Sequence, residues 1–367
     1  MMTYLSIPKP SYLLSQLTPR KGPDAALHQV LARVADVYQL GEIQACHRAR
    51  RSASMNFIVT TARGRFVFRR HRLTETDVAY EHQVLDHLQQ RNFPAPRILR
   101  NQTGQAWSAI DGSLYSVYEF VEGYCFTDFL WWPAVRREIA NQCGRTLGRY
   151  HHAVAHLVPN AYKWSAYRPT EHRRWREGDW FRQTLKDIRP LLQKPTATSP
   201  IDDFTRSRID AIDKMLSLES VVEERSDLSK VVIHGDYAPW NVLFRRGLPP
   251  FVLDFNEARL DLKIYDVVLA TFRSGWRGHR LDRDRALAFQ AGYGESGQLH
   301  DSDVSLAGPV FQWIMARSLT ERLHKHYLGQ RRLMKGPAGM ERQYQMCVFA
   351  EQQAQQLVAG LKGAIAR

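Results

Sequence analysis

The chain has 367 residues, a formal net charge of +14, and 44% hydrophobic and 24% charged residues. That composition excludes a largely disordered chain, and the length suits one large domain or two unequal lobes. No uninterrupted apolar run reaches the roughly 20 residues a bilayer-crossing helix needs, so no membrane partner is expected.

Cys46, Cys125, Cys143 and Cys347 are too scattered for a zinc site or a disulfide framework. Met1 to Pro10 lacks the basic-then-apolar pattern of a secretory signal, which makes a cytoplasmic location the expectation. The positive charge favours anionic partners. No zinc-finger, RNP1 or KH pattern accompanies it, so no specific nucleic-acid partner is expected.

Residues 1–24 carry Pro8, Pro10, Pro19 and Pro23 without periodicity and form an expected N-terminal arm. Leu27, Val30, Leu31, Val34 and Val37 then recur at helical spacing over Ala25 to Tyr38. Met55 to Thr61 and Arg65 to Arg69 are β-prone runs around Ala62-Arg63-Gly64, a hairpin signal. A helix follows over Glu75 to Gln90 and is broken by Phe93-Pro94-Ala95-Pro96. Two further strands, Gln105 to Ile110 and Leu114 to Val121, flank the turn dipeptide Asp111-Gly112. Beyond Gly123 helical stretches dominate, apart from a β-rich region over Val231 to Asp254. The expected lobes are therefore 25–121, β-rich, and 122–367, mainly helical.

Val231-Val232-Ile233 is an apolar strand that delivers His234-Gly235-Asp236 to a loop, and Asn241 lies five positions beyond Asp236. A turn over Gly247 to Pro250 leads to a second strand, Phe251-Val252-Leu253, which ends at Asp254. Phosphoryl transfer needs a carboxylate to orient or deprotonate the attacking hydroxyl, and oxygen ligands to hold Mg²⁺ against nucleotide phosphates. Asp236 suits the first task; Asn241 and Asp254 suit the second. His234 is expected to support the loop by hydrogen bonding. Tyr237 and Trp240 flank the base and either wall the acceptor pocket or pack inside the loop. Asn256 either reaches a second Mg²⁺ or caps its own loop.

His234-Gly235-Asp236 through Asn241, followed by Val252-Leu253-Asp254-Phe255-Asn256, is similar to the HGDxxxxN and DFD-type signatures of the aminoglycoside phosphotransferase, choline kinase and homoserine kinase-like superfamily, relatives of protein kinases. The pattern resembles homoserine kinase-like members most. The resemblance implies an α+β, two-lobed protein-kinase-like fold that uses ATP and Mg²⁺. It further implies that Arg69 stands where relatives place a phosphate-contacting Lys or Arg, with Glu81 as its ion-pair partner. Glu119 and Val121 fall in a stretch that resembles the adenine-binding hinge. Ser54 lies in Arg51 to Asn56, where relatives have a glycine-rich phosphate loop and this chain has no glycine. Asp266, in Ile264-Tyr265-Asp266-Val267, resembles the aspartate that braces the catalytic loop.

The expected activity is ATP-dependent phosphorylation of a hydroxyl on a small acceptor: an amino alcohol, an amino acid or a sugar-like metabolite. An aminoglycoside acceptor fits less well, because a polycation is ill served by a chain of net +14. A Ser/Thr protein kinase of the stress-response type would instead present an open peptide groove. A nucleotide-binding pseudokinase scaffold, suggested by the missing glycines and by Arg69, would form no phosphorylated product. The segment Asn160 to Trp180 interleaves aromatic residues with arginines and suits either a ligand clamp or a packed connector.

Overall fold

The computed structural model describes residues 23–49, 55–71, 74–125, 133–157, 178–223, 225–277, 280–329, 338–349, 352 and 361. Ser54, nearly all of the expected arm and most of the Asn160 to Trp180 segment lie outside the described residues. The chain divides into two compact units. Among the described residues, the first takes 23–125, 156–157 and Trp240–Ala258, and the second takes 133–155, 178–239 and those from 259 onward. The strands leading to Asp254 thus group with the β-rich unit, although they follow the expected boundary at residues 121 and 122 in sequence.

In the first unit, helix α1 (Ala25–Val37) starts where the Asp24 side chain accepts a hydrogen bond from the Leu27 N–H. Strands β1 (Ile43–Arg48), β2 (Met55–Thr61), β3 (Gly64–Arg70), β4 (Ser108–Ile110) and β5 (Ser113–Glu119) form one antiparallel sheet in the order β1-β2-β3-β5-β4. Phe57 and Val59 of β2, Phe68 of β3 and Tyr115 and Val117 of β5 form one core cluster with Leu31, Val34 and Ala35 of α1. Each large apolar side chain removed from water there contributes roughly 1.5–3 kcal/mol. The turn between β4 and β5 has Asp111 at φ 49° and Gly112 at φ 67°. Both central residues are left-handed, the geometry that favours Asp-Gly in a two-residue hairpin.

Helix α2 (Glu75–Gln90) opens with a reciprocal capping box between Thr74 and Asp77 and buries Val78, Glu81, Val84, Leu85 and Leu88. A second antiparallel sheet, β6 (Tyr124–Cys125), β8 (Val242–Arg245) and β9 (Leu248–Val252), is ordered β6-β8-β9. The Val252 N–H donates to the Pro94 carbonyl at 2.9 Å and ties this sheet to the segment after α2. The expected turn over Gly247 to Pro250 is shorter, because Pro249 and Pro250 already belong to β9. β9 is an edge strand, where a missing N–H is tolerated.

The second unit is mainly helical: α3 (Pro133–Ala153), α4 (Gly178–Leu192), α5 (Pro200–Leu216), α6 (Leu218–Glu223), α7 (Lys263–Gly275), α8 (Arg283–Gly294), α9 (Asp301–Ser305) and α10 (Ala307–Tyr327). Its strands β7 (Lys230–Ile233) and β10 (Arg259–Leu262) pair antiparallel, with Ile233 opposite Arg259. β11 (Trp276–Arg277) and β12 (Arg280–Leu281) form a small ladder after α7. α7 buries Ile264, Val267, Ala270 and Phe272, and Phe272 stacks on Phe311 of α10 with ring centroids 3.6 Å apart.

α3 and α8 cross with backbones in near contact. A Cβ on Gly144 would strike the Phe289 carbonyl oxygen, and one on Gly292 would strike that of Asn141. No described helix is long and apolar enough to cross a membrane.

Candidate active site

In the first unit, Phe68 and Arg69 are successive residues of β3 and so face opposite ways. Phe68 enters the core cluster. Arg69 Nη1 donates to Glu81 Oε1 at 3.0 Å, and Nη2 reaches Asp254 Oδ1 at 3.4 Å. Arg69 and Glu81 are 7% and 3% exposed. Burial opposes the guanidinium charge, but Glu81, Tyr118 and Asp254 outweigh it and hold Arg69 protonated. Burial pushes the Glu81 carboxyl above its ordinary range; Asp254, Asp77 and Glu257 push the same way, and Arg69 opposes them.

Asp254 sits at φ 65° and ψ 69°, in the left-handed region, just before a short 3₁₀ turn over Phe255–Glu257. A non-glycine residue held there stores backbone strain, a common feature of functional positions. The β8–β9 ladder pairs Val242 with Val252, and the Leu253 N–H donates to the Asn241 carbonyl at 2.8 Å. Asn241 is therefore next to the residue that precedes Asp254. These donors are all hard oxygens among mutually repelling carboxylates, which suits Mg²⁺. Among the described residues no group of three or more His, Cys, Asp or Glu forms a metal cage. A magnesium ion held here would take its remaining ligands from phosphates and water.

Glu119 closes β5, and its N–H donates to the Arg97 carbonyl at 3.0 Å. Val121 follows, half-buried. A buried polar chain that sequence reasoning missed lies beside the Arg69–Glu81 pair. His71 Nε2 meets Ser116 Oγ at 2.8 Å, Ser116 Oγ meets His82 Nε2 at 3.2 Å, and His82 Nε2 meets Tyr118 Oη at 3.1 Å. The available signal was that His71 follows Arg69 by two strand positions and His82 adjoins Glu81.

In the second unit, β7 carries Val231, Val232 and Ile233 into the core and releases the chain at His234. Gly235, at φ 76°, turns it. Asp266 is fully buried on α7. It accepts the His234 N–H on Oδ2 at 2.6 Å and the Gly235 N–H on Oδ1 at 2.9 Å. His151 Nε2 also meets Oδ2, at 3.2 Å, while His151 Nδ1 meets the Tyr293 hydroxyl at 3.0 Å. Burial alone would raise the Asp266 carboxyl, but the hydrogen bond and charge of His151, with the His234 amide, hold it below the ordinary carboxylate range. Burial pushes the His151 imidazole down.

His234 is itself buried, and its Nδ1 accepts the Asp236 N–H at 3.3 Å. Asp236 Oδ1 is 2.7 Å from Arg273 Nη2, and Arg273 Nη1 donates to the Tyr237 carbonyl at 3.2 Å. Arg273 is absent from the sequence reasoning; its signal is a position seven residues, or two helical turns, beyond Asp266 on α7. Tyr237 has no accessible surface, stands edge-on to His234 and donates its hydroxyl to the Cys143 carbonyl at 2.9 Å. Trp240 is 44% exposed.

The second unit has a carboxylate on a braced loop, and the first has an Arg–Glu–Asp cluster near an asparagine; groups of these kinds are used in phosphoryl transfer. Comparisons with known proteins give the family. Homoserine kinase of Zymomonas mobilis is 23% identical over 273 residues, which span 72% of this chain and 77% of the relative. A spectinomycin phosphotransferase, solved with ADP and spectinomycin, superposes with a TM-score of 0.65 at 12% identity, over 92% of this chain and all of that one. A microcompartment-associated aminopropanol kinase gives a TM-score of 0.58 at 15% identity, over 89% of this chain and 98% of that one. At such identities the likeness to solved structures concerns the fold, which is α+β, two-lobed and protein-kinase-like. The model of the phosphotransferase enzyme family (APH) matches residues 46–301. With more than half its length matched, the chain belongs to the phosphotransferase enzyme family and is a kinase-type enzyme.

Proposed function

We propose that this enzyme transfers the γ-phosphoryl group of ATP to a hydroxyl of a small metabolite, of the amino-acid type that its homoserine kinase relatives are named for. The observation that carries the reading is the Arg69–Glu81–Asp254 cluster, in which a buried guanidinium is fixed by two carboxylates on separate elements. Such a cation serves to position nucleotide phosphates. Asn241 and Asp254 are the residues to hold Mg²⁺, which would neutralise charge on the phosphate oxygens. By the family resemblance, Glu119 and Val121 would meet adenine through backbone groups and Ser54 would serve the phosphates.

In the reaction the acceptor hydroxyl oxygen attacks the γ-phosphorus, the bond from that phosphorus to the β,γ-bridging oxygen breaks, and ADP leaves. The hydroxyl proton passes to the Asp236 carboxylate. His234 and Asp266 orient that carboxylate without touching the acceptor. The test is mass-spectrometric screening of hydroxylated metabolites and aminoglycosides for a phosphate adduct that depends on ATP. Asp236→Asn is expected to keep nucleotide affinity and lose product. Undiminished product in that variant sinks the assignment.

A further inference from the structure

The Asp236 carboxylate carries its own counter-ion. Arg273 comes from the last turn of α7 and places Nη2 at 2.7 Å from Asp236 Oδ1. The loop does not rest on this pair alone: Asp266 also holds it through the His234 and Gly235 amides, and Tyr237 is fixed through its own hydroxyl as well. Both members are half-buried and keep some surface, with side chains 24% exposed for Arg273 and 33% for Asp236. Any acceptor whose hydroxyl reaches Asp236 therefore meets the guanidinium edge at the same time.

We propose that Arg273 selects the acceptor by binding an anionic group on it, so that the substrate is a hydroxy acid and not a simple amino alcohol or a polyamine sugar. This deepens the phosphotransferase reading and rests on it. The planar guanidinium fork matches a carboxylate or phosphate with two parallel hydrogen bonds. An ammonium brought to the same place would gain from Asp236 about what it loses to Arg273, and the pair would not select it.

The experiment measures phosphate transfer from ATP by the full chain to matched acceptor pairs, each offered as the free carboxylate and as its carboxamide, with homoserine and homoserine amide among them. Wild type is expected to favour the carboxylates by roughly ten- to a hundredfold in kcat/KM, the scale of one charge-assisted hydrogen-bonded contact. Arg273→Gln should abolish the preference by raising KM for the carboxylate alone, and Arg273→Lys should restore part of it. Arg273→Glu should turn the preference toward amino alcohols of the same length. A residue that only holds the loop would lower kcat for both members of each pair by the same factor, and that result overturns the proposal. So does transfer that needs Asp236 and is blind to the carboxylate, an outcome that leaves the phosphotransferase reading standing. Transfer undiminished in Asp236→Asn would instead strike the assignment of the base.

Discussion

Asp266 and Arg273 lie two turns apart on α7 and between them hold four successive residues of the loop that carries Asp236. Asp266 takes the amides of His234 and Gly235; Arg273 takes the carboxylate of Asp236 and the carbonyl of Tyr237. One rigid helix thereby sets the position of a loop that has little regular structure of its own. Asp266→Asn keeps the shape and removes one of the acceptors that three donors share. It is expected to cost about 1–3 kcal/mol in urea unfolding and to lower kcat more than KM. An unchanged kcat would show that the brace is dispensable.

The brace has a second layer. Tyr293 reaches Asp266 through His151, and it is placed by the crossing of α3 and α8 at Gly144 and Gly292. A methyl group at either glycine meets backbone, which cannot swing aside as a side chain does. Gly144→Ala and Gly292→Ala should each destabilise by at least about 1–3 kcal/mol. Ala153→Gly, at the end of α3, should cost no more than about 1 kcal/mol. Thermal unfolding of the three variants separates a packing effect from a helix-propensity effect.

Local signals made much of this legible in advance. The expected and observed bounds of α2 coincide, because its caps and its apolar spacing both lie within the segment. The Asp111-Gly112 turn and the strand before His234 were equally local. What the sequence did not disclose depends on partners remote along the chain. Arg273 is an ordinary helix-terminal arginine until its helix is laid against the loop. Tyr237 could face either way until Cys143 supplied an acceptor. The grouping of β8 and β9 with the first unit follows from pairing with β6 and from the bond to Pro94, which no periodicity reports.

Acid should destabilise the protein through its buried histidines. Burial pushes His71 well below the ordinary imidazole value of 6.5, helped by Arg69 and His82, and burial also depresses His151. A histidine with a depressed folded pKa binds its proton more readily in the unfolded chain. Its stabilising share is therefore complete above pH 6.5 and is lost as pH falls below that value. Below 6.5 each such group should lower the unfolding free energy by up to about 1.4 kcal/mol per pH unit until its folded pKa is reached. Urea midpoints of wild type and His71→Gln between pH 7 and pH 5 check this; the variant should show the shallower slope.

The left-handed backbone of Asp254 makes stability and activity separable there. Asp254→Gly removes the Cβ that this conformation disfavours, so the folded state should be as stable as wild type or firmer by about 1 kcal/mol. On the proposed role of Asp254 as an oxygen ligand to Mg²⁺, turnover should fall by roughly a hundredfold or more. A variant that lost stability and activity together would mean that the Asp254 contact with Arg69 outweighs the strain.

That contact is the weaker arm of the cluster, and the stronger one can be tested by a double-mutant cycle. Arg69 and Glu81 are both buried, so removing either partner leaves a charge without its main counter-ion in a dry setting. Arg69→Met and Glu81→Leu should each cost about 3–5 kcal/mol, whereas the double variant should recover most of that loss, because two apolar side chains of similar volume need no desolvation. Nucleotide handling should not recover with stability. The double variant should show KM for ATP raised by roughly tenfold or more, the expected loss for a charge that meets phosphate. Recovery of both properties together would make the pair a packing element. Recovery of stability alone would show that a buried ion pair, costly to maintain, is kept for the phosphates.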